Sequence, residues 1–168
     1  MSIQTRTWFA SYFQTTTKFV DEMLKDEKAT TYLLVWPIFE QKLFNGFMKQ
    51  VDIQSAASKY AVYYGELNAD VAVQHFHDRY QDSRRYKNLR HNDSATYITK
   101  ILSQKIADLS NEDKLVLLIY VVYRYRNNIF HGNKGIASWS NYTTQINLCL
   151  DFMMAMLDCA EKHKGDIA

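Results

Sequence analysis

Apolar residues recur along this chain at helical spacing, in segments set apart by short polar interruptions. The strongest segment runs from Leu115 to Tyr123, where every residue is apolar or aromatic. Periodicity alone fits such a run to a buried strand or a buried helix. The flanks predict a helix. Ser110 with Asp113 three residues on approximates a capping box, and Glu112 and Asp113 suit the positive N-terminal end of a helix dipole. Arg124, Arg126 and His131 suit the opposite end, and Gly132 is a natural stop. A helix apolar all round belongs in the middle of a core.

The rest of the pattern predicts helices around it. Residues 5–25 read as one helix with a stripe of Trp8, Phe9, Tyr12, Phe13, Phe19, Val20, Met23 and Leu24. Core packing is the expectation for that stripe, with a partner-binding face as the alternative. Residues 30–50 form a second apolar segment, which Pro37 either kinks or divides. Residues 52–64 and 70–81 read as shorter helices separated near Gly65 to Asn68, and residues 94–108 as another. Asn133 to Ser138 reads as a loop, and about Trp139 to Lys164 as the last helix. No repeat, low-complexity tract or long linker divides the chain. The expectation is all-α: one single-domain helical bundle over residues 1–168.

Composition sharpens this without changing it. At 168 residues with 47% hydrophobic and 14% aromatic content, the chain is long and apolar enough for a sizeable core. One proline and five glycines argue for long helices over a many-turned β-sandwich. Cys149 and Cys159 on one helix would lie roughly 15 Å apart, too far for a disulfide, and two such thiols fit a reducing compartment. Met1 to Arg6 lacks the pattern of a signal peptide, and the longest apolar run is about half a membrane span. A soluble, cytoplasmic protein with no membrane partner is expected.

The net charge of +2 says little about partners, so local clusters must carry any such argument. Residues 79–91 are the most basic stretch, with Arg79, Arg84, Arg85, Lys87 and Arg90 interleaved with Tyr80 and Tyr86. That composition suits a single-stranded nucleic-acid groove, and it equally suits a solvated loop between helices. His75 and His77 point about 200° apart on a helix and cannot share one ion. Glu40 follows the second apolar segment, where it could face Arg126 and hold its guanidinium or stand on the helix surface.

The central helix ends in Arg124, Arg126, Asn127, Asn128 and His131, polar groups that need partners or a task. An Arg offers a planar fork that matches two phosphate oxygens and never loses its charge. A His moves protons near neutral pH, and an Asn orients a water or a phosphate oxygen. On an ideal helix, Arg126 and His131 lie about 140° apart, so they converge only if the helix ends or loosens before His131.

The string Tyr125-Arg-Asn-Asn-Ile-Phe-His-Gly132, an Arg followed after four residues by His with an amide directly after the Arg, resembles the signature of the HEPN superfamily of small all-helical domains. The form is similar to that of prokaryotic defence and toxin members. The resemblance implies a HEPN-like bundle, metal-independent endoribonuclease activity with Arg126, Asn127 and His131 catalytic, and two protomers sharing one cleft. It implies RNA as substrate, a homodimer, and an antitoxin or regulatory partner, with no cofactor and no metal. Lys134, Arg84, Arg85, Lys87 and Arg90 are the candidate substrate-binding residues, and Glu40 and Asn128 candidate supports. In one toxin subgroup a Tyr stands two positions after the motif His. Here that place holds Asn133, so silencing by nucleotidylation at that position is closed. The alternatives are a non-catalytic HEPN-like module that binds RNA, a nucleotide or a protein, and a purely structural helical adaptor.

Overall fold

Ser110 caps the start of the central helix through Asp113, forming half of a capping box. The Ser110 hydroxyl accepts from the Asp113 backbone N–H at 3.0 Å and donates to the Asp113 carboxylate at 2.7 Å. The computed structural model describes residues 2–12, 14–25, 27–91, 93–130 and 142–166. Among these the chain is all-α, with no strand. The helices are α1 (Ile3–Tyr12), α2 (Thr17–Leu24), α3 (Glu27–Phe44), α4 (Ile53–Tyr60), α5 (Asp70–Arg79), α6 (Ser83–Arg90), α7 (Thr96–Leu102), α8 (Asn111–Phe130) and α9 (Thr143–Lys162).

α8 is the centre of the bundle. Leu115 through Val122 are all buried, and α4, α5, α6, α7 and α9 pack against the helix. Each such side chain contributes about 1.5–3 kcal/mol on burial, so the run far outweighs the weak helix propensity of its valines. α3 lies along α9 and adds Tyr32, Trp36 and Phe39, spaced i, i+4 and i+7, to the same core. The Tyr32 hydroxyl donates to the Val122 carbonyl at 3.1 Å, tying α3 to α8 one turn before Arg126. At the other side, Asp93 accepts from the Tyr120 hydroxyl and from Gln50 Nε2, both at 3.0 Å. Cys149 and Cys159 are free and buried on α9. No helix of the described residues is long and apolar enough to cross a membrane.

Several sequence expectations are corrected here. The helix expected over 5–25 is two helices, because Gln14 turns left-handed (φ 49°) and the Thr16 hydroxyl accepts from Phe19 N at 3.1 Å to start α2. Trp8 and Tyr12 are 57% and 68% exposed and stack on each other, so the stripe expected to be core is divided. Pro37 sits within α3 without ending it; the helix stops at Phe44, before left-handed Asn45 and Gly46. Within the basic stretch 79–91, the alternative of a solvated loop gives way to a helix, α6, over Ser83–Arg90. Asp82 caps its start by accepting from Arg85 N at 2.9 Å, and left-handed His91 ends it. The helix expected over 94–108 is only α7, followed by a separate 3-10 turn at Ile106–Asp108.

Candidate active site at the end of α8

The last turns of α8 carry polar side chains into two different surroundings. Arg126 turns toward α3. Its guanidinium carbon lies 5.5 Å from the centre of the Trp36 ring, and its Nη1 donates to Asn127 Oδ1 at 3.0 Å. A guanidinium on an indole face gains from about 0.5 to 2 kcal/mol as water is excluded. Asn127 is half-buried beside it. Tyr32, behind this pair, is a fixed donor. Burial pushes its phenol well above the ordinary value, with further upward pushes from Cys149 and Tyr125 and a smaller opposing pull from Arg126.

Glu40 is linked to Arg126 through Trp36. One Glu40 oxygen accepts from Trp36 Nε1 at 3.1 Å, and the other accepts from Met48 N at 2.9 Å. The carboxylate therefore fixes the indole plate and the turn after α3. Trp36 and Tyr32 escaped the sequence reading because both sit inside an apolar run that reads as core. The signal that could have found Trp36 is its spacing, one helical turn before Glu40.

Arg124 faces the other way. Its Nε donates to the Leu89 carbonyl at 2.9 Å, satisfying one of the last carbonyls of α6. This holds α6 against α8. Asn128 points inward: it is 3% exposed, and its Nδ2 has no hydrogen-bond partner among the described residues. His131 and Lys134 lie outside the described residues, as do Gly132 and the loop expected over Asn133 to Ser138.

The four basic residues expected to share a phosphate path are spread around α6. Arg84 and Lys87 are exposed, and Arg90 lies 5.2 Å over the ring of Tyr86. Arg85 is exposed too and lines a small cleft with Arg79 and Asn88. His75 and His77 have separate partners, Gln145 and the Gln104 carbonyl, in keeping with their 200° separation. Among the described residues, no three His, Cys, Asp or Glu side chains are grouped to hold a metal ion.

Compared with protein-family models, with curated proteins and with solved structures, the chain finds no match in any of the three. The likeness to HEPN domains therefore stands on the motif at Arg126 to His131 and on the all-helical architecture.

Proposed function

We propose that this chain is a metal-independent endoribonuclease of the HEPN type, working as a cytoplasmic homodimer in a prokaryotic defence or toxin setting. The observation that supports this most is the Arg126–Asn127 pair. It stands at the end of the most deeply buried helix, on a tryptophan plate that a carboxylate fixes from behind. A prearranged cationic fork beside an amide suits a phosphate that gains negative charge during reaction.

RNA carries its own nucleophile. The 2′-oxygen attacks phosphorus, the bond from phosphorus to O5′ breaks, and the ends left are a 2′,3′-cyclic phosphate and a free 5′-hydroxyl. One His131 takes the 2′-hydroxyl proton, and the partner's His131 gives a proton to O5′. Arg126 stabilises the crowded phosphorus centre, and Asn127 keeps the guanidinium in register. A second copy is needed because one chain supplies one such histidine to the motif. Lys134 and the exposed cations of α6 would gather the strand, and an antitoxin or regulatory partner would restrain the activity.

The test is cleavage of single-stranded RNA in EDTA by the purified protein and by its His131→Ala form. Loss of an acid–base group should slow the reaction by about 10²–10⁴-fold. Equal RNA breakdown by both forms contradicts the proposal. RNA binding with no cleavage by either would make the chain a binding module.

A further inference from the structure

A second feature lies on the α5–α6 side of α8, away from Trp36. There the end of α5, the inner face of α6 and the start of α9 enclose a small cleft lined by Arg79, Arg85, Asn88, Tyr125 and Tyr142. Its volume is about 30 Å³. A single water needs about 10–15 Å³ on this measure, so the cleft takes two or so water-sized groups. That excludes a nucleobase and admits two oxygens of an anion seated at the mouth of the cleft.

Charge points the same way. Arg79 and Arg85 each bring a guanidinium to the cleft, and among the described residues neither makes an ion pair. The Arg79 Nε is buried and has no hydrogen-bond partner among those residues. The guanidinium is placed by Tyr142, whose ring centre lies 5.8 Å from its carbon. Of the nearby carboxylates, Asp82 caps α6 at Arg85 N and also feels the Arg85 charge, and Asp78 accepts from Gln74 at 2.7 Å. His75, one turn before Arg79, is held below its ordinary value by burial first and by the Arg79 charge second. Two guanidinium groups brought to one small cleft repel each other until an anion joins them.

We propose that this cleft is a one-phosphate site, with Arg79 and Arg85 as the charged donors and Asn88 as a neutral one. The phosphate is either a diester of a nucleic-acid strand lying over α6 or a free anion. The site is separate from Arg126 and deepens the reading of the α6 cations as strand-gathering groups, and binding there needs no cleavage.

The test follows the Nε–H resonances of Arg79 and Arg85 in the whole ¹⁵N-labelled protein. Inorganic phosphate is titrated first. A single-stranded 2′-deoxy oligonucleotide, which the proposed reaction cannot cut, follows. The expected result is saturable shifts of both resonances with one affinity, unmatched by chloride at equal ionic strength. Arg85→Gln, at an exposed position, should weaken that affinity at least tenfold while leaving the fold intact. Arg79→Gln should do the same. If a strand supplies the phosphate, the double variant should also lower the salt slope of oligonucleotide binding by about 0.7 for each lost contact. If a free anion is the ligand, the slope stays and inorganic phosphate binding alone is lost. Failure of both probes to move either resonance, or unchanged affinity in Arg85→Gln, would overturn the proposal.

Discussion

Arg124 and Arg126 stand two residues apart on α8, about 200° round the helix, and meet different surroundings. Arg124 is bonded to a backbone carbonyl at the end of α6, a group that the fold itself must satisfy. Arg126 lies over the Trp36 ring and donates to the Asn127 amide oxygen, contacts that place its charge on the α3 side. The two arginines are alike in sequence and differ in what holds them. A cation bonded to a helix end is structure; a cation set over an aromatic ring beside an amide is the one proposed to meet a phosphate.

The largest expected effect lies on the α3 side. Arg126→Ala should lower kcat/KM on RNA by about 10²–10³-fold, the scale for one donor to developing charge. Its unfolding free energy in urea should change by no more than about 1 kcal/mol, as for positions outside a packed core. A loss of several kcal/mol would make Arg126 a structural residue like Arg124 and erase the contrast. Arg124→Ala should show the reverse. Stability should fall by about 1–3 kcal/mol because the Leu89 carbonyl loses a charged donor, with kcat/KM within about threefold of the parent protein. Equal damage to activity by both changes would break the comparison.

Trp36→Phe sharpens it on a smaller scale. Phenylalanine keeps a ring under Arg126 and loses the N–H that Glu40 accepts. A three- to tenfold drop in kcat/KM is expected, with roughly 1 kcal/mol lost in unfolding, the usual worth of one hydrogen bond. No change in either quantity would remove Trp36 and Glu40 from the support of the site.

How much of this was legible in sequence differs sharply between elements. α8 was clear, since an unbroken apolar run between a Ser–Asp box and a polar end has one good reading as a buried helix. α6 was hidden because Leu89 is its one buried residue, and eight residues with five charged or amide side chains carry almost no periodic signal. Asp82 was the available clue, an N-cap residue ahead of the run. Trp8 and Tyr12 misled because a helical stripe does not say how far a helix extends. The break at Gln14 changes which residues share a face. Glu40 was placed on the right helix, but spacing could not show Trp36 standing between it and Arg126. The convergence of Arg79 with Arg85 joins two helices across a turn, and no pattern along the chain encodes it.

The smallest expected effect is on pH. The Asp82 carboxyl is held below its ordinary value chiefly by the Arg85 backbone N–H it caps, helped by the Arg85 charge. A native value lowered below the unfolded one gives a contribution fully present above about pH 4 and lost as pH falls through the native value. Asp82→Asn keeps a capping oxygen without the titration. Its Tm should therefore fall less steeply than the parent's on acidification from pH 5 to pH 2. Parallel acid limbs would mean that the cap contributes nothing measurable to α6.

The central claim is that the Arg126 face cleaves RNA through the substrate's own 2′-oxygen, and one substrate tests it directly. A short RNA with a known cut site is prepared with a single 2′-deoxy sugar at the cleaved position and incubated with the protein in EDTA. The account predicts that this bond resists while the all-ribose strand is cut there, leaving a 2′,3′-cyclic phosphate and a free 5′-hydroxyl. Cleavage of the deoxy bond at the same rate, or activity that EDTA abolishes and magnesium restores, would contradict it.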